Sequence, residues 1–169
     1  ISAAACGAGG FGGRNRPEAI WFWQHMHNAK LVEENYSGVC AVGGVVYKPG
    51  YNVPGSSLDK SAWSVTYVSD DPVRHNAFFA KDGKVYEGLQ NYYRFGGASG
   101  AYTYDPILTP LEAFSLDTKF DDGMPGTSRI KTYHAATNPA CVDSDDPLTA
   151  KYKATDNETI ACALVMEFE

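Results

Sequence analysis

Apolar residues Ile20, Trp21, Trp23, Met26, Ala29 and Leu31 recur three and four apart behind Pro17 and Glu18. Proline suits a first helical turn, where the N–H has no partner, and a carboxylate there is favoured by the helix dipole. The pattern predicts an amphipathic helix over 17–32. Trp63 to Ser69 alternates with period two, as a half-buried strand does. Strands at 77–81 and 85–89 flank Asp82-Gly83, a pair that supplies the positive φ angles of a tight hairpin turn. Two final strands are predicted near 129–135 and 161–168. Val39 to Tyr47, broken by Gly43-Gly44, reads as a bulged strand or two short extended pieces. Lys48 to Asp59 reads as a surface loop, and Gly96 to Gly100 with Tyr102 to Pro106 as a flexible crossing. Thr109-Pro110 caps and opens a second helix that runs through Lys119 and is stopped by Gly123 and Pro125. No repeat or change of composition divides the chain. Residues 1–169 therefore read as one α+β domain, with a short N-terminal helix packed beside an antiparallel sheet.

Composition sharpens this picture. Eleven Tyr, eight Phe and three Trp with 17 Gly and nine Pro describe strands and turns around an aromatic core. The net charge of −6, spread through loops, leaves no basic footprint for nucleic acid and no polybasic membrane patch. No apolar stretch approaches the roughly 20 residues that span a bilayer. Four Cys without zinc spacing imply two disulfides and an oxidising compartment, and hence export with removal of a segment before Ile1. Cys141 and Cys162 bracket a polar loop and would staple the C-terminal edge, leaving Cys6 for Cys40; two other connectivities stay open.

The residues able to carry chemistry are few. Asp117, Asp121 and Asp122 form a candidate calcium site, because a hard cation takes carboxylate oxygens. Their spacing is not that of an EF-hand, and a helix end with solvated carboxylates is the favoured reading. Asp143, Asp145 and Asp146 raise the same choice in the loop between the C-terminal cysteines. His25 and His27 lie two apart on a helix and face different sides, unlike a zinc-binding pair. His75 and His134 stand singly near strand ends, and a hydrolase using Asp121 or Asp122 with His134 has no supporting motif. Ser56 and Ser57 lack a nucleophile elbow. Gly7 to Gly13 follows no strand and lacks the Lys-Ser/Thr of a phosphate loop. Asn35 and Asn157 begin glycosylation sequons, which short motifs often form by chance.

Phe22-Trp-Gln-His25, Ala29-Lys-Leu31, Asn35-Tyr-Ser-Gly38, Asn52 to Leu58, Trp63 to Tyr67, Leu108 to Thr127 and the closing Cys141 and Cys162-Ala-Leu164 occur in a set order. Taken together this order resembles the globular head of a bacterial type IV pilin or pseudopilin, over most of residues 18–169. The resemblance implies a long N-terminal helix, apolar in its first half and absent from this chain, packed by its second half on an antiparallel sheet, with a C-terminal disulfide loop. Gly7 to Gly13 stands where the family often carries an Asp/Asn-rich, cation-binding entry loop. The resemblance further implies a non-enzymatic subunit of an extracellular filament, with other pilin subunits as partners, no cofactor beyond a calcium ion, and contact with a membrane only through the absent helix. A secreted carbohydrate- or surface-binding β-rich module is the alternative from another class.

Overall fold

The computed structural model describes residues 17–40, 46–68, 90–99, 102–133 and 135–167. Among them two helices and five strands follow one another as α1 (Pro17–Asn28), β1 (Ser61–Val68), β2 (Gln90–Ser99), β3 (Tyr102–Asp105), α2 (Pro110–Phe120), β4 (Ile130–Lys131) and β5 (Leu164–Glu167). All pairings are antiparallel, with β1, β2, β5 and β4 side by side and β3 attached to β2. The expected α+β class and antiparallel sheet are present. The expected strands at 77–81 and 85–89 lie outside the described residues, as do Cys6, the Gly7–Gly13 run, residues 41–45, His75 and His134.

The end of the central strand, residues 96–99, and the short β3 beside it are residues that read as a flexible crossing. β2 continues through Gly96 and Gly97, pairs with β1 from Gln90 to Gly97, and shares its other edge between β5 and β3. Glycine is there for proximity rather than flexibility. A Cβ on Gly96 would lie 2.7 Å from the Thr103 carbonyl oxygen, and one on Gly97 2.9 Å from Asp105 Cβ. The register shift between Gly97 and Ala98 is the kind of bulge that a glycine in a strand marks.

Directly opposed residues of an antiparallel pair share a face. The register sets Trp63 against Phe95, Val65 against Tyr93, Tyr93 against Met166, Phe95 against Leu164, and Ile130 against Met166, so these side chains form one apolar face. α1 covers one end of it through Ile20 and Trp23, and α2 the other through Ala113 and Leu116. α1 ends at Asn28, earlier than the pattern suggests: Lys30 adopts φ 59°, which a continuing helix cannot accommodate. The last two strands are also shorter than expected. Asp121 holds the start of β4, and Cys162 pairs with Leu108 in an isolated bridge before β5 begins.

Candidate functional site

The C-terminal third is built around the end of α2. Thr109 accepts a hydrogen bond from the Glu112 N–H while the Glu112 carboxylate accepts from the Thr109 N–H, the reciprocal capping box, and Pro110 opens the helix. At the other end Gly123 takes φ 74°, the left-handed geometry that the sequence anticipated for a helix stop. Asp117, Asp121 and Asp122 come together here, with a carboxylate oxygen of each within 4.8 Å of the others. A hard cation wants such oxygens.

Each carboxylate also has donors of its own. Asp121 accepts from the Ser128 hydroxyl (2.7 Å) and from the Arg129 and Ile130 N–H groups (2.6 and 2.7 Å), fixing the turn that leads into β4. Asp122 accepts from the Met124 N–H (2.9 Å) and the Thr127 hydroxyl (2.7 Å). Asp117 is fully buried and accepts from the Gly123 N–H (3.1 Å) and from the Tyr152 hydroxyl (2.7 Å). Burial is the largest influence on Asp117 and pushes its carboxyl up to about 6, against the opposing pull of those two hydrogen bonds. The Tyr152 hydroxyl is itself driven far above its ordinary range, by burial first and the Asp117 charge second, so it stays a donor.

Tyr152 belongs to the loop closed by Cys141 and Cys162, the pairing expected from the sequence. That loop folds back on itself, with Val142 bridged to Tyr152 and the Lys153 N–H donating to the Cys141 carbonyl. Cys162 in turn exchanges backbone hydrogen bonds with Leu108, just before the cap of α2. Cys40 is disulfide-bonded, and its expected partner Cys6 lies outside the described residues. Within the loop the acids serve the backbone: Asp143 accepts from the Lys151 N–H, Asp145 from Ala136, and Asp146 from Leu148 and the Thr149 hydroxyl.

Among the described residues, the remaining singled-out ones do not assemble. The Ser56 hydroxyl is paired with that of Ser61 at 2.6 Å in the loop before β1. His25 and His27 occupy the last turn of α1, where the Nδ1 of His27 is buried without a hydrogen-bond partner among the described residues. Asn35 and Asn157 are both exposed on loops, so either sequon is open to a modifying enzyme. Of the tyrosines, Tyr92 is buried in β2, Tyr93 is half-buried, and Tyr51 is exposed beneath Lys48, whose Nζ lies 5.6 Å from the ring centre.

A second concavity was not legible in the sequence. An open cleft of about 510 Å³ lies between α1, the loop after it and the sheet, with Trp23, Tyr36, Trp63 and Tyr93 as walls and Glu34 among its lining residues. Its residues come from five segments, and its aromatic walls taken singly read as ordinary core. Only the aromatic richness of the composition hints at it. No protein family, no curated protein and no solved structure matches this chain.

Proposed function

We propose that this chain is the globular head of a filament subunit of the type IV pilin or pseudopilin kind, exported, disulfide-bonded and non-enzymatic, with other subunits of the filament as its partners. The observation that carries the reading is the C-terminal unit. The end of α2, the turn gripped by Asp121, the stapled loop and strands β4 and β5 form one hydrogen-bonded block against the sheet, with α1 on the same apolar face. Of this block, the antiparallel sheet and the C-terminal disulfide loop are the features that the sequence resemblance implies for such a head. The Cys141–Cys162 disulfide fits assembly outside a reducing cytoplasm.

A filament subunit works by offering surfaces to its neighbours. The block carries exposed apolar side chains suited to that role, since Leu148 is 71%, Phe120 60% and Ile160 52% exposed. The test is immunoelectron microscopy of surface filaments sheared from the producing cell, using antibody raised against this chain. Labelling along the filament is the expected result. Recovery of the chain solely as a free secreted monomer, with unlabelled filaments, would reject the reading.

A further inference from the structure

The aromatic cleft beside α1 is not needed for the filament role, and its chemistry is selective. Trp63 and Tyr93 meet edge to face at 86° with ring centres 6.3 Å apart, so they do not make a flat platform, and Trp63 is backed by Phe95, stacked on it at 4.4 Å. Trp23 tilts 33° from Tyr93 at 6.0 Å, and Tyr36 closes on Trp23 at 6.2 Å and 61°. Ring faces are electronegative and attract a cation placed over them. Among the described residues Glu34 is the one charged residue lining the cleft, and it makes no ion pair with any of them. Its charge is felt within the site: the Tyr36 hydroxyl is raised in pKa by burial first and by Glu34 second.

We propose that this cleft binds a small organic ammonium ion of the quaternary, choline-like type. Three features point to that class. The volume lies within the few hundred to about 1,000 Å³ of sites that enclose small molecules. The carboxylate, with no basic residue among the lining side chains, repels anions and complements a cation. The right-angled walls suit a compact, roughly tetrahedral head better than the extended flat face of a sugar ring, which stacks on one exposed platform. A cation over these faces also leaves the lone Glu34 charge paired, which a neutral sugar does not.

The test is calorimetric titration of the intact chain with choline chloride, with its neutral isostere 3,3-dimethylbutan-1-ol, and with cellobiose. Choline is expected to bind with a Kd on the order of 1 mM, and the isostere at least about tenfold more weakly, because it lacks the charge. Glu34→Gln, at an exposed loop position, should unfold at the same temperature as the parent and bind choline roughly fivefold more weakly. Trp63→Leu provides a second arm by removing one wall, and should weaken choline binding by a further margin in a chain whose far-ultraviolet circular dichroism is unchanged. Equal binding of choline and the isostere, no effect of Glu34→Gln, binding of cellobiose alone, or no choline binding by the parent chain would each overturn the proposal.

Discussion

Replacing Tyr152 by Phe probes the junction between α2 and the disulfide loop with a single oxygen. The Tyr152 hydroxyl donates to Asp117 at 2.7 Å inside the core, and among the described residues the Gly123 N–H is the other donor to that carboxylate. A hydrogen bond to a charged group contributes about 1.5–3 kcal/mol, and one between neutral groups about 0.5–1.5 kcal/mol. The loss therefore depends on the charge of Asp117. Its folded pKa of about 6 lies above the ordinary 3.8, so between these values the folded chain binds more protons than the unfolded one. Stability then falls as pH rises through that window, and ionising the buried group costs about 3 kcal/mol once pH exceeds the folded pKa. At about pH 8 the variant should lose roughly 2 kcal/mol, and at about pH 5 roughly 1 kcal/mol. Linkage then requires the Asp117 pKa to rise by a further unit or so in the variant, to about 7. Thermal unfolding followed by near-ultraviolet circular dichroism measures both losses, at roughly 2–4 °C per kcal/mol for a chain of this size. The disulfide keeps the loop in place, so the comparison isolates the hydroxyl. An equal loss at both pH values, or a larger loss at the acidic one, would refute the account of Asp117 as a buried, pH-dependent acceptor.

Gly96→Ala should destabilise by about 1–3 kcal/mol, since the new methyl meets backbone atoms that cannot swing away; urea unfolding checks it, and a neutral result would mean that β3 can separate from β2 at no cost. Removing the Cys141–Cys162 bond by a double Cys→Ala change should cost about 3–4 kcal/mol from loop closure across a separation of 21 residues, read as a lowered urea midpoint with a slightly steeper slope, because the unfolded chain becomes less compact. Asp121→Asn can keep its carbonyl oxygen on the N–H donors of residues 129 and 130, which share Oδ2, and turn its amide to the Ser128 hydroxyl, so only the charge is lost and the cost should be about 1–2 kcal/mol. That loss should be the same in chelator and in excess calcium; a calcium-dependent stabilisation of the parent that disappears in the variant would show instead that the three aspartates hold a cation.

What the sequence reveals here depends on how far apart the cooperating residues lie. α2 is legible because its signals are local: the Thr109-Pro110 start, Glu112 at the third position and Gly123 beyond the end act within one helix. The Cys141–Cys162 pairing is legible because a polar loop between two cysteines near a terminal strand has an obvious closure. β2 fails the same local test. Gly96-Gly97 is a breaker by propensity, yet the strand needs both glycines because β3 crosses at a distance that excludes a side chain. The requirement lies in the partner strand, and no window of sequence around Gly96 contains it.

The acidic turn shows the same division inside a single motif. That Asp121-Asp122-Gly123 ends a helix can be read from the residues, whereas the grip of Asp121 on Ser128, Arg129 and Ile130, which sets where β4 starts, cannot. Asp117 and Tyr152 are 35 positions apart, and neither carries a sign of the other. The cleft extends this furthest, because Trp23, Tyr36, Trp63 and Tyr93 converge from a helix, a loop and two strands. An isolated aromatic residue is most economically read as core. It becomes a candidate binding wall only when the fold sets its ring at a right angle to a second one and brings a carboxylate to the same opening.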